Sequence, residues 1–491
     1  MGVARARCGV PVPPVPAHQA GRAGHRGTNR GTCREERVTV SEHTQRVADH
    51  IAAARRAELP EGVVTKACAH ILDTVAAMVS GSQLPAGVQG AAFAETQHPA
   101  GPSTVVGTQI RTRSMDAALA GGMAAHADET DDSHPASLSH PGCGIVPAAL
   151  AVAEELGRGG DELVRAVVVG YDVGTRVVLA LGRPPVLTAQ SSYSTHAYAA
   201  QFGAAAAAAA LHRLDERQAR HALSYAAQSA SGVTTWLRDG NHVEKAYVFG
   251  GMPAANGVRA AALVAAGGDG VDDVFAGHPN FLDAISPRAD LARLSAGLGE
   301  RYEVQHTNIK KFAVGSPAQA AVQAVLDLVG SDEPAAEDVE KIEIVLPGDL
   351  AQVVDRRLMP DINVQYLVAG SLLDGRFSFA MAHDDERMHA PDVVALMDKT
   401  TLVPDPDVSG VRTATVTLSM SDGRTLRRHV DAVRGTVDDP MSRQELVDKS
   451  LDLLAPVLGA DRAREVIDVI ERLPKLGQAR KLGKLLTGPA R

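Results

Sequence analysis

Aromatic residues and cysteines are scarce in this chain of 491 residues. Aromatic side chains make up 3% of the sequence and hydrophobic residues 45%, so Ala, Val and Leu must fill most of the core. Small side chains of this kind suit closely packed helices. The four cysteines, Cys8, Cys33, Cys68 and Cys143, form no CxxC pair. We therefore expect neither a disulfide framework nor a structural zinc site, and the thiolates are too few for an iron–sulfur cluster.

Long apolar runs and an excess of positive charge are missing as well. The longest apolar run, residues 204–211, is far shorter than the roughly 20 residues that a membrane-spanning helix needs. The formal net charge of -9 and the pI near 6.1 provide no basic surface for a phosphate backbone. These absences predict a soluble, cytoplasmic protein with no membrane and no nucleic-acid partner.

The first 37 residues are basic and rich in proline and glycine, without the apolar segment of a secretory signal. Their composition predicts disorder, and we assign residues 1–40 to an N-terminal extension. Because a helical pattern begins at Ser41, we hypothesise that translation starts near Val38, which the intact mass of the native protein would test.

The rest of the chain changes character near residue 300. Before that point, apolar residues recur at helical spacing, beginning with an N-cap at Ser41. Residues 341–347 and 411–430 instead alternate with period two, and SMSDGRT supplies the turn of a hairpin. From Ser442 the pattern is helical again, and Glu445 completes a capping box. Since the chain exceeds one compact core, we predict a mainly α protein with a helical domain from residues 41–300 and 436–491 and an α+β lid domain at 301–435.

The densest polar cluster lies at residues 126–142, where four carboxylates and three imidazoles fall within fifteen residues. Three interpretations are open. The cluster could be a solvated acidic loop that caps the next helix, or a divalent-metal site, although no HExxH pair is present. It could also be an acid–base site, in which His140 titrates near neutrality beside a carboxylate.

Two lysine-containing segments are further candidates. Lys245 is followed by small residues, and Lys310 and Lys311 precede a helix that opens at Ser316, a natural pocket for a carboxylate. Each lysine taken alone is more typical of a solvent-exposed surface. The sequence contains no GxSxG, Rossmann or Walker motif, so it gives no support to serine-hydrolase or nucleotide chemistry.

A set of segments in order resembles the MmgE/PrpD family: AAHADETDDSHPASLSHPG, GYDVGTRV, FGAAAAAAALHRLD, EKAYVFGGMPAANGVRAAALVAAG, KKFAVGSPAQAA and GSLLDG. The resemblance covers roughly residues 42–480. It implies an enzyme such as a 2-methylcitrate dehydratase, a cis-aconitate decarboxylase or an iminodisuccinate epimerase, acting on small di- or tricarboxylates without a metal or an organic cofactor. It also implies a homodimer, with the active site in a cleft between a helical domain and a lid.

The resemblance assigns roles to individual residues. His140 is the general base or acid, and Asp132 orients it. Lys245 and Lys310 bind carboxylates of the substrate and offset the charge that develops on it. The implied substrate-binding residues are Glu129, Ser133, Ser194, His196, Lys311 as a rival of Lys310, and Tyr366 of the lid.

Two positions depart from the decarboxylases of the family. Ser194 stands where they carry a histidine, with His196 two positions away as a substitute, and Gly315 replaces a second histidine. These losses weigh against decarboxylation, so dehydration of a 2-methylcitrate-like substrate is the first expectation, with epimerisation or decarboxylation of a related dicarboxylate as the alternative. Two other classes stay open: a metal-dependent hydrolase that uses the Asp/His cluster, and a binding protein without catalysis.

Overall fold

The computed structural model describes residues 39–97, 100–182, 191–408 and 412–489. Apart from residues 39 and 40, the predicted N-terminal extension lies outside these ranges, as does Val38, the hypothesised start. Within them the predicted fold class is confirmed, because the protein is mainly α and carries a small mixed sheet in its C-terminal half.

Helices dominate the chain up to residue 285 and again from residue 443. The first helix begins where the sequence predicts, because the Ser41 side chain accepts a hydrogen bond from the Thr44 backbone N–H at 3.2 Å. The predicted capping box is also present, with the Ser442 N–H donating to Glu445 Oε2 at 2.8 Å. These elements are α1 Glu42–Ala53, α2 Glu61–Gly81, α3 Pro85–Gln97, β1 Ser103–Thr104, β2 Arg111–Thr112, α4 Ser114–Ala125, α5 Gly142–Leu156, α6 Gly160–Ala180, α7 Thr195–His212, α8 Glu216–Gln228, α9 Val243–Ala246, α10 Met252–Ala265, α11 Phe281–Ile285, α18 Arg443–Leu458, α19 Ala460–Glu471 and α20 Arg480–Leu485.

The segment between these helical regions contains a sheet of four strands in the order β4-β3-β5-β6. β3 (Val339–Pro347) pairs with β5 (Ala414–Met420) in antiparallel fashion, and β5 pairs with β6 (Thr425–Val430) as the predicted hairpin. β4 (Thr400–Asp405) pairs in parallel with β3 and was not predicted, since Pro404 interrupts its pattern. The helices of this segment are α12 Gln319–Asp332, α13 Gly348–Val354, α14 Val364–Asp374, α15 Phe379–Ala382, α16 Asp385–Met388 and α17 Pro391–Asp398.

Two large hydrophobic cores organise these elements. The first contains residues between Val47 and Val304 and again between Leu453 and Leu486, and we call this region the helical part. The second lies between Phe312 and Val433, and we call it the α+β part. The chain crosses between the two at adjacent points, where the Ile309 N–H donates to the Gly435 carbonyl oxygen at 3.0 Å.

Helix α2 is long and apolar enough to cross a membrane, although polar residues interrupt its apolar positions. Within the protein, 72% of its most apolar window is buried. It packs against α4, α18 and α19, as a core helix does. Length and composition alone are therefore weak support for a membrane span here.

A close backbone contact joins α4 to the segment after α9. Residues Tyr247–Gly251 form a π-helical turn between α9 and α10. A Cβ atom added to Gly250 would lie 2.1 Å from the Gly122 carbonyl oxygen, and one added to Gly122 would lie 2.4 Å from the Gly250 carbonyl carbon. Only glycine allows this approach, which fixes the spacing between the two segments that flank the polar cluster.

We predict that Gly250→Ala destabilises the protein by about 1–3 kcal/mol, because the added methyl group must displace the α4 backbone. Urea unfolding measures the change. The control is Gly330→Ala in α12, where no atom lies within 4 Å of the added Cβ. That substitution should leave stability unchanged or raise it by about 0.5–1 kcal/mol. Equal effects at the two glycines would contradict the prediction.

Candidate active site

The loop between α4 and α5 carries the polar cluster, and it is buried. Asp128, Glu129, Asp131 and Asp132 are each at most 5% exposed. The interpretation of this cluster as a solvated acidic loop is therefore wrong. Buried carboxylates require partners that compensate their charge, and those partners define the site.

The Asp132 carboxylate is a structural group rather than the partner of His140. Its Oδ2 contacts His70 Nδ1 at 2.9 Å and accepts a hydrogen bond from the Tyr171 hydroxyl at 2.5 Å. Its Oδ1 accepts from the Gly142 N–H at 3.0 Å, which holds the start of α5. The expectation that the Asp132 side chain orients His140 is thus corrected, because the partners of this carboxylate are His70, Tyr171 and Gly142.

His140 is oriented by a backbone carbonyl and by Asp131. Its Nδ1 lies 2.7 Å from the Asp132 carbonyl oxygen and 3.2 Å from Asp131 Oδ1. A carbonyl oxygen can only accept, so Nδ1 carries the proton in the neutral ring. Nε2 is then unprotonated and can take up a proton. The side chain is 12% exposed, so the ring remains partly accessible.

Two lysines converge on the same loop as predicted. Lys245 Nζ forms an ion pair with Glu129 Oε1. Lys310 Nζ donates to the Glu129 carbonyl oxygen at 2.8 Å and lies 3.4 Å from Glu129 Oε2 and 3.5 Å from Asp131 Oδ1. Burial opposes ionisation of Glu129, but the charges of Lys245 and Lys310 outweigh it and hold the pKa of that carboxyl well below its usual range. Glu129 thus holds both cations in place.

An aromatic wall closes one side of the site. The ring of Phe249, from the π-helical turn, stacks on His126 at 4.5 Å and on His196 at 4.1 Å between ring centroids. Lys245 Nζ lies 5.4 Å from the centroid of the same ring. The His196 ring lies 5.4 Å from the His140 ring, so this predicted residue does reach the site. Burial lowers the pKa of His126 and of His196, which favours the neutral form of both rings.

The α+β part contributes three groups that the sequence analysis missed. His383 Nε2 lies 3.1 Å from Asp128 Oδ2, and Arg412 Nη1 donates to Ser133 Oγ at 3.0 Å. Asp361 is 6% exposed and faces the same charges. No local pattern marks these positions, because each reaches the site only through the contact between the two parts.

The structure also explains why position 315 is a glycine. Its N–H donates to the Asp361 carbonyl oxygen at 3.0 Å, and an added Cβ would lie 3.0 Å from Ile362 Cγ2. A side chain at position 315 would therefore press on the residue next to Asp361. The glycine allows the segment of Asp361 to approach the site.

Two predicted substrate-binding residues, Tyr366 and Lys311, lie elsewhere, and a third, Ser194, contacts Trp236. Tyr366 is fully buried in the second core, and its hydroxyl donates to the Met381 carbonyl oxygen at 2.8 Å. Lys311 points away from Lys310 and pairs with Glu445 at 3.5 Å. Ser194 is buried before α7, and its Oγ accepts from Trp236 Nε1 at 3.2 Å. The structure therefore supports Lys310 over Lys311 and places Tyr366 outside the site.

His383 forms a charged contact between the two parts of the protein. Burial disfavours its protonation, but the hydrogen bond to Asp128 and the charges of Asp128 and Asp361 outweigh burial and raise the pKa of His383 to about 9. A raised pKa in the folded state contributes stability that is fully present below the unfolded value of about 6.5. That contribution is lost as the pH rises through about 9.

We predict that His383→Gln lowers the free energy of unfolding by up to about 3 kcal/mol below pH 6.5 and by progressively less toward pH 9.5. Urea unfolding at several pH values measures the difference from wild type. The exposed His389 provides the control, since replacing it by glutamine should give a difference that does not change with pH. A pH-independent effect of His383→Gln would contradict the assignment.

Among the residues that the structure describes, one group of side chains could hold a metal ion. Ligand atoms of His126, Asp131 and His140 lie within 4.8 Å of one another. The ammonium group of Lys310, 3.5 Å from Asp131 Oδ1, occupies the same neighbourhood with a positive charge. This charge opposes binding of a divalent cation.

The helical part and the α+β part, with buried lysines and histidines between them, match the two domains of a known enzyme family. The MmgE/PrpD N-terminal domain matches residues 45–294, and the MmgE/PrpD C-terminal domain matches residues 312–475. The chain belongs to the MmgE/PrpD family, which confirms the predicted resemblance.

Its relatives include several cis-aconitate decarboxylases. The chain is 25% identical to a cis-aconitate decarboxylase-like protein of Aspergillus oryzae, over 91% of this chain and 97% of that protein. It is 23% identical to the cis-aconitate decarboxylase of Aspergillus terreus, over 88% and 94% of the two chains. It is 25% identical to that of Mus musculus, over 91% and 94%.

Proposed function

We propose that this protein is a lyase that acts on a small di- or tricarboxylate by removing a proton alpha to a carboxylate. The observation that carries the proposal is the placement of His140, whose Nδ1 faces two hydrogen-bond acceptors, so that Nε2 is the nitrogen left to accept a proton in the neutral ring. Such a proton is too weakly acidic to leave unaided, so the site must also offset the charge that develops on the substrate.

Three cations support this role. Lys245 and Lys310 lie at Glu129, and Arg412 approaches from the α+β part. Burial lowers the pKa of Arg412 to about 10 against the opposing charge of Glu129, and its contact among the described residues is the hydroxyl of Ser133 rather than a carboxylate at ion-pair distance. A buried guanidinium gains most from a bidentate carboxylate, so we assign Arg412 to a carboxylate of the substrate.

Dehydration of a 2-methylcitrate-like substrate is the reaction we propose first. Ser194 is committed to Trp236 and position 315 carries no imidazole, so the site differs from the decarboxylases at both positions identified in the sequence. Decarboxylation is the second candidate. It is favoured by the names of the relatives and by the position of His196 beside His140. Epimerisation would use the same proton abstraction.

We further propose a homodimer in the cytoplasm that works without a metal or an organic cofactor, with a small polycarboxylate as its partner. The family resemblance supports the dimer, and the acidic net charge of -9 is consistent with the absence of a nucleic-acid partner. Light scattering on the purified protein measures the oligomeric state.

The test of the proposed function is proton exchange in D2O, followed by NMR with a chelator present. The compounds are 2-methylcitrate, citrate, cis-aconitate, malate and aspartate-derived dicarboxylates. Deuterium entering the alpha position of one of them, together with product, identifies the substrate class and the reaction. Activity that disappears with the chelator and returns with metal would instead support the metal site at His126, Asp131 and His140. Exchange with no compound would support a binding protein.

A further inference from the structure

Asp361 is a buried carboxyl for which no hydrogen bond or ion pair is found in the described ranges. It lies on the short helical turn Pro360–Ile362, immediately before α14, and is 6% exposed. Its backbone is fixed, because its carbonyl oxygen accepts from the Gly315 N–H at 3.0 Å. Burial opposes ionisation of a carboxyl group that has no hydrogen bond, which makes Asp361 a candidate for a functional role.

The charged groups that face Asp361 come from both parts of the protein. Asp128, Glu129 and Lys245 belong to the helical part, and His383 belongs to the α+β part. Burial is the main cause that raises the pKa of Asp361 to about 7; Glu129 and Asp128 raise it further, while His383 and Lys245 act against the rise. A group with both protonation states populated near neutrality is suited to proton donation.

The other acids near the site are committed elsewhere. Lys245 and Lys310 are held as cations by Glu129 and Asp131. His383 Nδ1 lies 2.9 Å from the Phe379 carbonyl oxygen, and its Nε2 forms an ion pair with Asp128 Oδ2 at 3.1 Å, so its positive charge is engaged by Asp128. The Tyr366 hydroxyl donates to the backbone inside the second core. These commitments leave Asp361 as the proton donor that the α+β part brings to the site.

We propose that Asp361 is the general acid of this site and protonates the group that leaves from the substrate. The inference rests on the proposed function. In dehydration, His140 Nε2 takes the alpha proton, and the C–H electron pair forms the new double bond. The C–O bond breaks with its electron pair on oxygen, which takes the Asp361 proton and departs as water. The excess proton on His140 then returns to the Asp361 carboxylate through solvent, so the protein ends in its starting state.

The experiment compares wild type with Asp361→Asn, which keeps the size and shape of the side chain but cannot donate an acidic proton. The matched control is Asp398→Asn, an exposed carboxyl at the end of α17 in the same part of the protein. Product formation and alpha-proton exchange are followed together by NMR in D2O. Infrared spectra from pH 5 to 9 record the protonated-carboxyl band independently of any substrate.

The expected result is a loss of kcat by about 10²–10⁴-fold in Asp361→Asn. Alpha-proton exchange, which depends on His140, should stay within about tenfold of wild type. The decline of wild-type kcat above pH 7 should be absent from the variant, whereas Asp398→Asn should behave as wild type. In the infrared spectra, a carboxyl band should disappear between pH 6 and 8 in wild type and be missing from Asp361→Asn.

Product formation within tenfold of wild type in Asp361→Asn would overturn the assignment and leave the proposed function intact. A carboxyl that is already ionised at pH 5 in the infrared spectra would overturn it as well. Failure of the proposed function gives a different result: wild type itself would exchange no alpha proton, and the infrared titration would still decide the state of Asp361.

Discussion

Replacing His140 by asparagine should lower kcat by about 10²–10⁴-fold, the usual contribution of a general base. Asparagine can still donate to the Asp132 carbonyl oxygen, where His140 Nδ1 now lies at 2.7 Å, so the loop should keep its conformation. The asparagine side chain has no unprotonated nitrogen at the position of His140 Nε2, so it cannot accept the alpha proton. The loss should therefore appear in kcat rather than in KM.

The rate of alpha-proton exchange measures this prediction most directly, because exchange requires the base but not the departure of a leaving group. The control is His389→Asn, an exposed histidine of the α+β part, which should leave the rate unchanged. Exchange by His140→Asn at a rate within tenfold of wild type would exclude His140 as the base.

Replacing Lys310 by methionine should cost both stability and activity. Lys310 is 1% exposed in its side chain and is the shared partner of Glu129 and Asp131. Removing it leaves two buried carboxylates without this cation, and breaking such a buried pair costs about 3–5 kcal/mol. Urea unfolding at pH 7 measures the loss, and kcat should fall together with it because the charge on the substrate is no longer offset.

The neighbouring residue provides a matched control. Lys311 Nζ pairs with Glu445 at 3.5 Å, and its side chain is 35% exposed, so Lys311→Met should cost no more than about 1 kcal/mol. Adding Asp131→Asn to Lys310→Met should recover part of the stability, because one unpaired charge is removed, but none of the activity. Similar losses at positions 310 and 311 would refute the assignment of Lys310 to the site.

The local features of the fold could be predicted because each depends on a few adjacent residues. The caps at Ser41 and Ser442 and the hairpin of β5 and β6 follow from short patterns, and the structure contains all three. β4 was missed because its pairing partner, β3, lies more than fifty residues earlier in the chain. Parallel pairing leaves little local trace in a sequence.

The site could be predicted only in part, because contacts between distant segments also leave little trace in the sequence. His140, Lys245 and Lys310 were identified as a set, and they do converge. Adjacent side chains in an irregular loop point in different directions, so the sequence could not distinguish the role of Asp131 from that of Asp132.

Lys310 and Lys311 pose the same difficulty, because they are neighbours in an irregular segment and only Lys310 is buried. Asp361, His383 and Arg412 are more than two hundred residues from the loop whose charges they face. Only the packing of the two parts reveals them.

The contact of Gly122 with Gly250 limits how the site can change its substrate. Because two backbones touch there, the spacing between Glu129 and Lys245 is rigid, and that half of the site tolerates little variation. The facing half is supplied by single side chains on loops and short turns: Asp361, His383 and Arg412. New substrate specificities should therefore arise by substitution of Asp361, His383 or Arg412. The half that contains Glu129 and Lys245 should stay unchanged and preserve the proton transfer.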